Sequence, residues 1–66
     1  MAKAAQQIVV GDHVWIGSNV TVLKGAVIPR GCVVGSGAVV TRAFTEENAL
    51  LAGNPARVIR RGVAWS

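Results

Sequence analysis

The sequence predicts an all-β protein, a short parallel β-helix built from hexapeptide repeats and followed by a short C-terminal helix. Every sixth residue between positions 10 and 40 is aliphatic, and a small or β-branched apolar residue follows the first five of these after four positions. A fixed six-residue period is typical of a parallel β-helix. The aliphatic positions are Val10, Ile16, Val22, Ile28, Val34 and Val40. The second set is Val14, Val20, Ala26, Cys32 and Ala38.

The turn position within each repeat supplies a third observation. Immediately before each member of the second set stands a Gly, Asn or His, and these residue types tolerate a left-handed backbone. The positions are His13, Asn19, Gly25, Gly31 and Gly37. Each repeat is therefore interpreted as a short extended segment followed by a turn, and three repeats would complete one triangular coil.

The chain is expected to form a single domain with three parts. These are a lead-in over 1–7, hexapeptide coils over 8–45, and a loop, last strand and C-terminal helix or tail over 46–66. The polar segment 41–48 is expected to be an outward loop, and the apolar segment 49–52 suits the last strand. Gly53-Asn54-Pro55 is a strong turn signal. A helix is predicted over 56–61, because helix formers follow a Pro suited to the first turn and cations lie towards the C-terminal end.

Composition limits the classes of function that the chain can serve. Hydrophobic residues make up 52% of the 66 residues, which is more apolar surface than so small a domain can bury, so a homo-oligomer is expected. No apolar run approaches the roughly 18 residues that span a bilayer, and residues 1–7 hold no secretory signal, so no membrane partner is expected. The single Cys32 falls in the small-residue set. It is interpreted as a packed thiol in a reducing, cytoplasmic setting.

The charge distribution indicates an anionic ligand. The net charge is +4, and several of the cations lie towards the C-terminal end, namely Arg42, Arg57, Arg60 and Arg61. With no nucleic-acid-binding motif and three aromatic residues, a small phosphorylated molecule suits this charge better than nucleic acid. One His per chain cannot supply a zinc site of several His, so no metal is expected.

Three motifs in order resemble one enzyme family. They are GDHVWIGS at 11–18, VGSGAVVTR at 34–42 and AGNPARVIR at 52–60. Together they resemble the C-terminal part of the hexapeptide-repeat acetyltransferases, in the branch with maltose, galactoside and xenobiotic O-acetyltransferases. The resemblance covers 8–61. It implies a left-handed parallel β-helix that forms a homotrimer, with acetyl-CoA as co-substrate in a groove between coils and a sugar or other hydroxyl compound as acceptor.

The resemblance also implies which residues meet the coenzyme. By position, Trp15 and Ser18 match residues that line the pantetheine channel, and Ser36 and Gly37 match a backbone stretch along which the pantetheine arm runs. Thr41 and Arg42 match a pair near the adenosine and its phosphates. Arg57 and Arg60 match basic residues that meet the 3′-phosphate. Guanidinium groups suit phosphate chemically, and on the predicted helix the spacing i, i+3 would put both Arg side chains on one face. The structural alternatives are a solvated basic surface for the Arg residues and a subunit contact for Trp15.

The catalytic base is where the chain departs from the family pattern. In the family, a His upstream of the GDHVWIG-like motif deprotonates the acceptor, whereas residues 1–10 here hold no His. The sole His, His13, occupies a turn position of the repeat, and a structural turn role is expected for it. Asp12, His13 and Ser18 are the residue types of a triad, but neighbouring positions on one turn need not converge. The catalytic residues are therefore not assigned. The alternative function is an inactive, truncated β-helix that acts as a trimeric structural or CoA-binding module.

Overall fold

The computed structural model describes residues 7–64, so the expected lead-in lies outside the described residues except for Gln7. Eight strands follow one another along the chain, and residues 7–64 contain no helix. The strands are β1 (Val9–Val10), β2 (Trp15–Ile16), β3 (Thr21–Val22), β4 (Val27–Ile28), β5 (Val33–Val34), β6 (Val39–Val40), β7 (Leu50–Gly53) and β8 (Ala56–Arg60).

The strands form a left-handed parallel β-helix with three faces, as predicted. Sheet A contains β1 and β4, sheet B contains β2, β5, β7 and β8, and sheet C contains β3 and β6. Val9 pairs with Val27, and Thr21 pairs with Val39, each in parallel and 18 residues apart. That offset equals three hexapeptides, so each coil stacks its strands directly on the previous coil. The backbone N–H of Val9 accordingly donates to the carbonyl of Ala26 at 3.0 Å.

The side chains of the aliphatic set point inward and form the core. This core is covered in the second coil and exposed to solvent in the first. In the second coil, Ile28, Val34 and Val40 are completely buried. In the first coil, Val10 is 46% and Ile16 is 42% exposed. The strands of the first coil pair with later strands on one side only among residues 7–64, so one open end of the solenoid lies at the first coil.

The corners of the triangle adopt the left-handed backbone that the sequence predicts. The φ angles are 56° at His13, 59° at Asn19, 83° at Gly25, 74° at Gly31 and 76° at Gly37. His13 and Asn19 are thus tolerated at positions that glycine takes in the second coil, because their side chains are among those that accept this region. His13 is therefore a corner residue, as expected.

The predicted helix over 56–61 is wrong, because residues 56–60 form strand β8. Gly53, with φ of 103°, and the cis Asn54-Pro55 bond reverse the chain, so that β8 runs antiparallel to β7. Without β8, strand β7 would leave its outer backbone N–H and C=O groups without a strand partner, and pairing satisfies them. The β-branched Val58 and Ile59 also favour a strand over a helix. The hairpin extends sheet B by one strand.

The segment 41–48 was predicted to be an outward loop, but part of it packs into the core. Phe44 is only 3% exposed and joins the core. The corner before it is two residues shorter than its counterpart in the first coil, because Ala43 bridges Val27 at an offset of 16 residues whereas Val40 pairs with Val22 at an offset of 18. This shortening carries Phe44 inward, where it closes part of the core.

Candidate functional site

The eight residues with expected coenzyme contacts fall into two regions of the β-helix. The first region is the outer face of sheet B together with the corner that leads into sheet C, here called the sheet B surface. It holds Trp15, Ser18, Ser36, Gly37, Arg57 and Arg60. The second region, the Arg42 corner, holds Thr41 and Arg42 between sheets C and A. Within one chain the two regions are separated by sheet C.

Strand register defines the order of side chains on the sheet B surface. Trp15 pairs with Val33, Val33 pairs with Leu50, and Leu50 pairs with Arg60. Residues paired across strands share a face, so these four side chains form one row across the sheet. Trp15 is 50% exposed at one end of the row, and Arg60 lies three strand spacings away, about 14 Å.

Arg57 and Arg60 face the same side of sheet B because β8 contains a bulge. Arg57 lies opposite Ala52, and Arg60 lies opposite Leu50. Leu50 and Ala52 are two residues apart on β7 and therefore point to one face. An odd spacing of three would normally place the two Arg side chains on opposite faces, but Ile59 is an extra residue in the ladder and restores the alternation. The two Arg positions are about 7 Å apart along the strand.

Arg61 has a different environment from these two residues. Its Nε lies 3.4 Å from Glu46 Oε1, and both side chains are well exposed, so the pair contributes little to stability. Within residues 7–64, no carboxylate forms a salt bridge with Arg57 or Arg60. Both side chains are exposed, so the N–H groups of their guanidinium groups can donate hydrogen bonds to an anion.

The corner between sheets B and C is tightly built around two serines. The backbone N–H of Ser18 donates to Ser36 Oγ at 3.2 Å, and the backbone N–H of Gly37 donates to the carbonyl of Ser18 at 2.9 Å. Because Ser36 Oγ accepts this hydrogen bond, its own hydroxyl hydrogen can donate to a ligand. Next to this corner, a Cβ built on Gly35 would lie 3.3 Å from Ala52 Cβ, and Ala52 lies opposite Arg57. Arg57 is therefore the basic residue on the side of sheet B nearer to Ser36.

At the Arg42 corner, the Arg42 guanidinium lies against an aromatic ring. The Cζ atom of Arg42 lies 4.1 Å from the centroid of the Phe44 ring, which is a cation–π contact. Thr41 and Arg42 are both exposed. Arg42 follows Gly37 by five positions, so the two corners are at most about 18 Å apart along the chain. Phe44 was not predicted from the sequence, because its burial depends on the bridge between Ala43 and Val27.

His13 lies at the corner between sheets A and B, two residues before Trp15. It lines a shallow concavity of about 330 Å³ at the corner between sheets A and B. The other lining residues are Gly31, Asn48, Gly62, Val63 and Ala64. None of the eight expected contact residues lines this concavity.

Three further features of the described residues concern the thiol, possible metal ligands and membrane-spanning helices. Cys32 is buried and its thiol donates to the carbonyl of Glu46 at 3.3 Å, which agrees with a packed thiol. Residues 7–64 hold no group of three or more His, Cys, Asp or Glu side chains that could bind a metal ion. No helix in these residues is long and apolar enough to cross a membrane.

Several solved structures are similar to this chain. The polysialic acid O-acetyltransferase OatWY is 44% identical with a TM-score of 0.85, over 89% of this chain and 28% of that protein. A maltose O-acetyltransferase from Clostridium difficile 630 is 41% identical with a TM-score of 0.77, over 82% and 28% of the two chains. A hexapeptide-repeat acetyltransferase from Vibrio cholerae O1 biovar eltor, in complex with acetyl coenzyme A, is 39% identical with a TM-score of 0.77, over 82% and 29%.

The chain thus spans less than a third of the length of these three proteins. A search of the curated proteins returns no match. The family model described as bacterial transferase hexapeptide (six repeats) matches residues 7–42, which are the two stacked coils of the β-helix. This protein belongs to the bacterial transferase hexapeptide family.

Proposed function

We propose that this chain binds the coenzyme in an acetyl-CoA-dependent O-acetyltransferase. The observation that supports the proposal best is the pair Arg57 and Arg60, which share the outer face of sheet B about 7 Å apart and have no salt-bridge partner among residues 7–64. Two planar guanidinium groups at this spacing suit the phosphates of the coenzyme, because each can form two parallel charge-assisted hydrogen bonds.

The pantetheine arm would follow the corner between sheets B and C. The Ser36 hydroxyl can donate to an amide carbonyl of the arm, and Gly37 has no side chain that would block its approach. Trp15 and Ser18 would line the channel beside the arm. Thr41 and Arg42 would meet the adenosine and its phosphates from the Arg42 corner. These roles follow from the family resemblance and agree with the exposure of the five side chains, those of Trp15, Ser18, Ser36, Thr41 and Arg42.

A trimer is part of the proposal, because the two regions lie on different sides of sheet C. In a trimer, the Arg42 corner of one subunit can face the sheet B surface of the next, and one coenzyme can contact both. Exposed apolar side chains supply contact surface, since Trp15 is 50% and Leu23 is 45% exposed. A cytoplasmic location is also proposed, in keeping with the single, buried thiol of Cys32.

The proposed acceptor is a sugar or another hydroxyl compound, as the names of the polysialic acid and maltose O-acetyltransferases suggest for those proteins. In the transfer, the acceptor oxygen attacks the thioester carbonyl and a base takes the hydroxyl proton; the carbon–sulfur bond then breaks, and CoA leaves as the thiolate, which is protonated to the thiol. His13 is a poor candidate for that base because it holds a left-handed corner between sheets A and B, whereas Ser18 and Ser36 lie at the corner between sheets B and C. A CoA-binding or structural module without catalysis is therefore the second candidate function.

Calorimetric titration of CoA tests the binding part of the proposal. Wild type is compared with Arg57→Ala, Arg60→Ala and the control Arg61→Ala, whose side chain pairs with Glu46. We expect each of the first two variants to bind about 10- to 100-fold more weakly, since a charged hydrogen bond contributes about 1.5–3 kcal/mol, and Arg61→Ala to match wild type. Absence of binding by wild type at millimolar CoA would refute the proposal. An acetyl-transfer assay over a panel of sugars then separates the enzyme from the non-catalytic module.

A further inference from the structure

Arg42 is anchored at both its backbone and its side chain. Its carbonyl accepts a hydrogen bond from the backbone N–H of Val27 at 3.4 Å, and the backbone N–H of Phe44 donates to the carbonyl of Val27 at 2.9 Å. Ala43 thus bridges β4, and the corner has little freedom around Arg42. The Phe44 ring, only 3% exposed, lies 4.1 Å from Arg42 Cζ.

A guanidinium group held against a ring still offers its donors. The five N–H groups of Arg lie in the plane of the group, so a ring that covers one flat side leaves them available. Arg42 is exposed, and no carboxylate within residues 7–64 forms a salt bridge with it. Lys24, in the corresponding turn of the first coil, adds a second positive charge at this corner. The corner therefore presents an ordered cation to an anion.

We propose that Phe44 is a positioning residue that holds the Arg42 guanidinium ready to bind a phosphate group of the coenzyme. This inference rests on the proposed coenzyme function, and it adds a residue that contacts Arg42 instead of the ligand. A free Arg side chain has to give up rotamer freedom when it binds an anion. Stacking on a buried ring removes much of that freedom beforehand, so the phosphate is bound more tightly.

A double-mutant cycle with Phe44→Leu, Arg42→Ala and the double variant tests the inference by CoA calorimetry. We expect Phe44→Leu to weaken CoA binding about two- to fivefold, the range of an exposed cation–π contact. In the Arg42→Ala background the same change should have no effect, because the group that Phe44 positions is gone. An equal loss in both backgrounds would show that Phe44 acts only through the fold and would overturn the inference.

A second measurement does not depend on CoA or on the variants. In the wild type, the Arg42 side-chain protons should show an upfield ring-current shift by NMR, and its absence would overturn the inference.

A third experiment applies if wild type binds no CoA, in which case the proposed function fails. Titration with inorganic pyrophosphate then tests whether Phe44 positions Arg42 for an anion. A perturbation of the Arg42 Nε–H signal that weakens in Phe44→Leu, or in Phe44→Met if the Leu variant unfolds, supports positioning. No perturbation in wild type would refute it.

Discussion

Gly17 and Ser36 approach each other so closely that a side chain on Gly17 would have no room. A Cβ built on Gly17 would lie 2.7 Å from Ser36 Oγ and 2.8 Å from the Ser36 backbone nitrogen. Ser36 Oγ also accepts the N–H of Ser18, so the hydroxyl cannot move aside without losing this hydrogen bond. This contact couples the stacking of two coils to the corner that we assign to the pantetheine arm.

Gly17→Ala should therefore destabilise the protein by about 1–3 kcal/mol, the usual cost of overpacking. Gly35→Ala is the matched control, because the nearest atom to its new Cβ would be the Ala52 methyl group at 3.3 Å. We expect the control to lose less stability in urea unfolding monitored by circular dichroism. Equal losses for both variants would contradict the contact with Ser36.

His13 should tolerate Gly better than a β-branched residue. With φ of 56°, the position strongly disfavours Val, at a cost of about 1–3 kcal/mol. His13→Gly keeps the backbone conformation available, so its free energy of unfolding should exceed that of His13→Val. If the two variants were equally stable, the corner role of His13 would be wrong. Where acetyl transfer is measurable, His13→Asn should also retain activity.

Deletion of Ile59 tests, through CoA affinity, whether residues 56–60 form a strand or a helix. Ile59 is the extra residue of the bulge and is 59% exposed, so its removal should make the ladder regular and leave Arg60 opposite Leu50. Arg57 and Arg60 would still share a face, and CoA affinity should stay within about threefold of wild type. On a helix, the new spacing i, i+2 would point the two side chains apart. An affinity as low as that of Arg60→Ala would contradict the strand.

Ile16 and Ile28 occupy equivalent positions in the repeat and provide a test of the open end. Ile28→Ala removes a completely buried side chain and should cost about 2–5 kcal/mol. Ile16→Ala removes one that is 42% exposed and should cost less than half as much. Thermal and urea unfolding measure both. Equal losses would mean that Ile16 is covered in solution.

The coils could be predicted from the sequence because every determinant is local and repeated. The aliphatic set predicts the buried positions Ile28, Val34 and Val40, and the turn set predicts the left-handed corners, including His13. The site could be predicted only as a set of residues. The predicted helix would also have placed Arg57 and Arg60 on one face. In the structure they share a face for a different reason, namely a bulge that forms only because β8 pairs with β7.

The sequence by itself determined the β-helix, its 18-residue coil and its corners, because six-residue spacing alone decides which side chains point inward. Tertiary structure decided that 56–60 is a strand, that Phe44 is buried under Arg42, and that the expected contact residues fall into two regions. The first two outcomes depend on partners distant in sequence, namely the free edge of β7 and the backbone of Val27 in the coil before, and the third depends on the position of sheet C between the two corners. Local propensity has no information about such partners, so it favoured a helix and an outward loop in these places.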